Sequence, residues 1–131
     1  MRYLLDTNAV IAILNREDKK TFANVVKHRR EDVSISSIVL HELYFGAYKS
    51  ERPTRNLRVI EALQFEVLDF DSEDAREAGR IRALLANEGR PIGPYDVLIA
   101  GQALRHRLIL VTANVREFSR VPGLACENWS R

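Results

Sequence analysis

The 131-residue chain has a single cysteine, and that scarcity excludes two classes of protein. Cys126 cannot close an internal disulfide, and with no second cysteine beside it there is no metal knuckle, so the expected role is a buried structural thiol. Long apolar runs are missing too. The longest early one, Ala9 to Leu14, is far too short to span a bilayer, and Asp6 interrupts anything resembling a signal-peptide core. A soluble cytoplasmic protein is expected. Excess charge of either sign is also absent: 20 Lys and Arg against 18 Asp and Glu leave a formal +2, which permits contact with nucleic acid without requiring it. There is no low-complexity segment and no internal repeat. At 46% hydrophobic and 29% charged residues the mix is that of an ordinary globular chain, and residues 1–131 fit one domain that buries roughly two-thirds of its unfolded surface.

The pattern along the chain alternates strands and helices. Tyr3 to Leu5 reads as a short strand, and Ala9 to Leu14 as a helix with Thr7 or Asn8 as its N-cap. Phe22, Val25, Val26 and Arg29 fall at helical intervals. Val33 to Ser36 alternates as a strand, and a helix begins near Ser36 or Ser37. After Pro53 comes a further helical segment around Leu57, Ile60 and Leu63, then a third strand over Glu66 to Phe70. Asp71 and Ser72 open a helix through Ala75, Ala78, Ile81 and Leu85 that stops at Gly89. The stiff loop RPIGPY leads to Asp96 and another helix. Leu108 to Val111 is the best strand in the chain, and a weak last one lies near Leu124 to Glu127. Such alternation predicts an α/β fold: an α/β/α sandwich around a mainly parallel sheet of four to five strands. Ligands in these sheets bind beyond the carboxyl ends of the strands, where Asp6 and Thr112 both fall.

Asp6 by itself could be no more than a helix cap. Glu42 has Ile38, Val39 and Phe45 as helical neighbours, so it sits in an apolar stripe where a lone carboxylate is costly. It is also five residues past Ser37, too far for a capping box. Asp96 is aimed by the loop before it, although a first-turn acid favoured by the helix dipole is an adequate structural explanation. Glu117 follows Thr112 and Asn114 past the fourth strand, and alone would be a surface residue. Together these four acids would repel one another unless a cation relieved them. Oxygen-only donors point to Mg²⁺ or Mn²⁺ rather than zinc. Such ions serve phosphoryl chemistry by binding phosphate oxygens, activating water and stabilising a leaving oxygen.

The segments LLDTN, HELYFGA, GRPIGPYDVLIAGQA and VTANVREFSRVPGL, closed by ENW, resemble the PIN-domain ribonucleases, and within them the VapC toxins of bacterial toxin-antitoxin pairs. The likeness spans essentially the whole chain. It implies an acidic set at Asp6, Glu42, Asp96 and Glu117, with Glu42 and Glu117 acting on the metal directly or through water. Relatives often carry Asp at or near the last position. The resemblance further implies that Thr112 and Asn114 position a metal-bound water or the Asp6 carboxylate, and that Asn8 braces the site. Ala113 stands where close relatives commonly have Asn. The reaction implied is metal-dependent hydrolysis of single-stranded or loop RNA to a 5′-phosphate and a 3′-hydroxyl, with the anticodon loop of tRNA as the implied target. The implied partners are a VapB-type antitoxin that blocks the site, a second copy of the chain in a homodimer, and operator DNA reached through the antitoxin.

Among basic residues that could follow RNA phosphates, Lys19, Lys20, Lys27, Arg29, Arg30, Arg80 and Arg82 read mainly as solvated faces, whereas Arg90 lies in the loop leading to Asp96. Tyr44, Phe45 and Tyr48 read as core or dimer contacts. Other functions fit less well. An aspartyl-phosphate phosphatase needs an acid two residues after the first, where this chain has Asn8. A receiver domain needs an acid pair and a late Lys that are not evident. His28, His41 and His106 form no motif for metal-free acid-base cleavage. A non-catalytic RNA- or protein-binding module of PIN-like fold would be expected to have shed some of the acids.

Overall fold

The computed structural model describes residues 1–15 and 18–130. The first strand, β1 (Tyr3–Leu5), is buried at all three positions. Alternate residues of a strand point to opposite faces, so β1 is covered on both sides, as parallel sheets are. Helix α1 (Thr7–Leu14) follows, then α2 (Lys19–Val26), and a single 3₁₀ turn (Arg30–Asp32) leads into β2 (Val33–Ser36). Next come α3 (Ser37–Lys49), α4 (Pro53–Glu61) and β3 (Glu66–Leu68). The rest of the chain is α5 (Ser72–Asn87), α6 (Pro94–Arg105), β4 (Ile109–Val111), α7 (Val115–Phe118) and β5 (Cys126–Glu127).

All pairings are parallel, in the order β3-β2-β1-β4-β5. The chain builds outward from β1 to β3, then crosses back to lay β4 on the other side of β1. The gap between β1 and β4 is therefore where the winding reverses, the position at which open α/β sheets bind their ligands. The register Leu5 opposite Val111 continues as a hydrogen bond from the Asp6 N–H to the Val111 carbonyl (3.0 Å). Asp6 and Thr112 thus leave the sheet side by side.

Several expectations shift. The cap of α1 is neither Thr7 nor Asn8 but Asp6, whose Oδ1 accepts the Ala9 N–H at 2.8 Å; the helix starts two residues earlier than the apolar run suggests. Phe22 and Val26 face solvent, because the buried position of α2 is Thr21, held by the Asp18 cap. Phe45 and Tyr48 are exposed rather than core residues. Cys126 is half-buried on the edge strand β5. Helix α7 was not legible because four residues are too few to show a period.

The closest helix contact joins α5 to α6. A Cβ built on Gly101 would lie 2.7 Å from the Ala78 Cα and 2.8 Å from its N, so the two backbones touch where glycine faces alanine. This packing fixes α6, the helix that carries Asp96. Gly101→Ala is expected to destabilise the fold by about 1–3 kcal/mol through overpacking against a backbone that cannot yield. Gly79→Ala, in the same helix pair but with open space around it, is expected to stabilise by about 0.5–1 kcal/mol. Urea denaturation midpoints at unchanged m-value measure both.

Candidate active site

Asp6 occupies the end of the central strand and is 4% exposed. Burial is the main force on its carboxyl and pushes the pKa up from 3.8. Hydrogen bonds from the Thr112 side chain and the Ala9 N–H oppose that shift, and the charge of Glu42 adds to it. Thr112 is itself buried and accepts the Asn114 N–H at 2.9 Å. A chain of hydrogen bonds therefore runs from the backbone of the loop after β4 through Thr112 to Asp6, and holds the acid at a fixed angle.

Glu42 comes from the middle of α3. It is half-buried rather than enclosed in an apolar stripe, since Phe45 on the next turn faces water. Its Oε1 accepts the Thr7 hydroxyl at 2.8 Å. That bond spans 35 residues of sequence and ties the turn after β1 to α3. Nothing in the sequence pattern marked Thr7 for this role beyond its place next to Asp6.

Asp96 sits in the first turn of α6 behind the loop from Arg90 to Gly93, and its pKa is raised to about 6. Burial is the largest cause, followed by the charge of Glu117 and a side-chain hydrogen bond with it, then the charges of Asp6 and Glu42. Glycine at position 93 matters sterically: a Cβ there would come within 2.9 Å of Asp96 Oδ2. The bare backbone leaves a recess that the carboxylate fills.

Glu117, in the short helix α7, accepts the Gly93 N–H on Oε1 (2.9 Å) and the Asn114 side-chain amide on Oε2. It bridges the two loops that flank the site. Arg120 reinforces the same bridge by donating to the Pro91 carbonyl at 3.0 Å. Of the remaining expected residues, Asn8 is exposed and lines a small cleft beside Thr112 and Asn128. No hydrogen bond joins its side chain to the four acids among the described residues. Arg90 is exposed, with its N–H spent on the Leu85 carbonyl. Arg80 pairs with Glu77, and Arg30 bonds Gln64.

The four acids thus share one electrostatic neighbourhood. Among the described residues, no three acidic, histidine or cysteine side chains converge into a ready-made metal cage. Without a counterion, the repulsion shows in Asp96, whose protonated form is favoured by burial and by its contact with Glu117. Among these residues, too, no helix is long and apolar enough to cross a membrane.

Comparison with known proteins agrees with this architecture. The PIN domain family model matches residues 3–124. The chain is 44% identical over 132 residues to the tRNA(fMet)-specific endonuclease VapC of Shigella flexneri, covering 99% of each. It is 40% identical to ribonuclease VapC2 of Haemophilus influenzae over 98% of both chains. Among solved structures, DNA-bound VapBC from Salmonella typhimurium superposes with a TM-score of 0.93 at 43% identity, over 98% of both chains. With the family model, the fold and near full-length identity in agreement, this chain belongs to the PIN-domain family, among the VapC ribonucleases.

Proposed function

We propose that the chain is a metal-dependent endoribonuclease toxin that uses Asp6, Glu42, Asp96 and Glu117 to cleave RNA. The observation that carries this reading is the mutual electrostatic burden of the four acids, seen most clearly in Asp96 at about 6. Like charges are not gathered at a sheet's ligand-binding edge without something to balance them. PIN-domain ribonucleases generally use a divalent metal ion. The donors fit one that is hard and oxygen-loving, which favours Mg²⁺, with Mn²⁺ as a substitute.

Asp6 and Asp96 are assigned as direct ligands. Glu42 and Glu117 reach the ion directly or through water. When bound, the ion supplies charge for a phosphate and lowers the cost of ionising water. The protein's own groups do the positioning. Thr112 and the Ala9 N–H aim Asp6 and oppose the upward push of burial on its carboxyl, Thr7 orients Glu42, and Glu117 holds the 90–93 loop so that Asp96 points inward. Asn114 steadies Glu117. Asn8 braces the site from the cleft beside Thr112, and Arg90 contacts RNA.

The substrate proposed is tRNA, on the analogy of the Shigella flexneri relative named for tRNA(fMet), with the anticodon loop as the cut that the family resemblance implies. Cutting there would stop translation in the cytoplasm until a VapB-type antitoxin covered the acids. Similar solved structures include VapBC complexes, among them those of Salmonella typhimurium and Rickettsia felis bound to DNA. A homodimer that meets operator DNA through the antitoxin is proposed on the family resemblance. Against a non-catalytic binding module stand the four acids, all present, with Asp6, Glu42 and Glu117 each acting on the charge of Asp96.

Asp6→Asn is expected to lower RNA cleavage at least a hundredfold and to abolish growth arrest while antitoxin binding persists. Sequencing of 5′-phosphate RNA ends after induction of wild type and variant measures this and names the substrate. An undiminished cleavage rate would refute the site.

A second expectation concerns pH. Asp96 binds its proton more tightly folded than unfolded, so its contribution favours the fold at low pH and is lost as pH rises from about 3.8 to about 6. Metal-free wild type should therefore lose stability across that window relative to Asp96→Asn, with the gap widest above it. Added Mg²⁺ should narrow the gap by stabilising only the wild type. Thermal melts across pH, with chelator and with Mg²⁺, measure both effects.

A further inference from the structure

Two of the acids are immediately preceded by aromatic rings that the scheme above does not use. His41 comes before Glu42 on α3, and Tyr95 comes before Asp96 on α6. Their ring centroids lie 5.5 Å apart and the planes meet at 46°. The rings lean together in an open V instead of forming a parallel stack. Both remain in contact with solvent, Tyr95 at 45% exposure. Rings normally recover their large apolar area by burial, so a half-wet pair next in sequence to two of the acids has face left to offer.

The other exposed aromatics lack this combination. Phe45 has the Lys49 ammonium 5.6 Å over its ring, so one face is taken. Tyr48 lies a further turn away from the acids, and Phe22 belongs to α2.

A nuclease with four carboxylates at its site faces an electrostatic difficulty, because RNA is a polyanion and the acids repel it wherever an ion does not balance them. Basic residues help along the flanking phosphates, and Arg116 beside Glu117 and Arg90 are both exposed. Close to the acids, a bound ion serves the phosphate, and the neighbouring base is left to contacts that do not depend on charge. Stacking of a base on an aromatic ring is such a contact, and it tolerates any sequence because every base has a π-face. It also selects single strands and loops, where bases are free to splay out.

We propose that His41 and Tyr95 form a stacking subsite for one unpaired nucleobase next to the phosphate that reaches the acids. This rests on the nuclease reading above. It makes the two rings specificity determinants: they admit loop RNA and discriminate against duplex, whose bases are already stacked on each other.

The test uses the full-length protein with Mg²⁺ and an oligoribonucleotide spanning the mapped cleavage site. A single abasic residue is walked through the positions flanking the cut. Wild type is expected to lose roughly tenfold in kcat/KM at one of them, in the range of one base on one ring. Tyr95→Ala should lose a similar factor on intact RNA, the two losses should fail to add, and Tyr95→Phe should retain most of the wild-type rate. An independent readout needs no turnover. Asp6→Asn protein binding the same RNA with 2-aminopurine at that position should quench its fluorescence, and adding Tyr95→Ala or His41→Ala should remove the quench. Additive losses, or an unchanged quench, overturn the subsite while leaving the nuclease reading intact. If wild type shows no Mg²⁺-dependent cleavage, both fall. A change in oligomeric state or a collapse of the melting transition in both Tyr95→Ala and Tyr95→Phe assigns the rings to an interface or to the fold, and likewise overturns the subsite.

Discussion

Repulsion among Asp6, Glu42, Asp96 and Glu117 is the constraint around which the rest of this structure is arranged. Three of the acids are restrained by donors: the Thr112 hydroxyl on Asp6, Thr7 on Glu42, and the Gly93 N–H and the Asn114 amide on Glu117. Asp96 has a carboxyl partner instead of a donor, and it bears the largest rise in pKa. The donors do not cancel the repulsion. They hold carboxylates at a spacing that free side chains would widen, and a divalent ion is the natural complement to what they hold.

Holding Asp96 requires a rigid α6, and the fold supplies that rigidity from the far side of the helix. Asp74 is fully buried at the start of α5 and accepts from Gln102 (3.0 Å) and Arg105 (2.8 Å), with His106 Nε2 at 3.0 Å. Asp71 caps α5 through a capping box and pairs with the same Arg105. A buried charge with this many partners is a poor source of net stability but a strict register device, because losing any one partner leaves the others uncompensated. Together with the Gly101 to Ala78 backbone contact, it fixes how far α6 can slide along α5. The position of Asp96 is set by groups at the opposite end of its helix.

Much of this was open to a reader of the sequence. Buried strands show as short apolar runs, so β1 and β2 were legible to the residue, and Gly89 with φ +67 ends α5 close to where its glycine signal placed it. The acids were legible through their motifs and the family resemblance. What escaped detection was long-range or very short. Thr7 reaching Glu42 joins residues in separate elements, and Gly93 serves as the floor under Asp96 although it reads as a simple loop residue. The exposure of Phe45 and Tyr48 depends on which face of α3 packs inward, and a helix rich in apolar residues on several sides does not announce that. Asp6 shows the opposite case, since cap and candidate ligand were posed as rival explanations of one residue. Its two oxygens allow both, one accepting the Ala9 N–H while the carboxylate still faces the other acids.

By itself, the sequence determined the alternation of strands and helices, the acids at strand and helix ends, and the family to which the chain belongs. Those follow from local periodicity, capping chemistry and motif order, all of which act over a few residues. Only the tertiary structure decided that β4 returns to the side of β1 opposite β2. Strand order is a matter of long-range pairing, and the same local signals are compatible with other orders. That single choice puts Val111 beside Leu5, brings Thr112 to Asp6, and carries the 112–117 segment over to the loop before Asp96. Residues more than a hundred positions apart become one site because the sheet reverses its winding there.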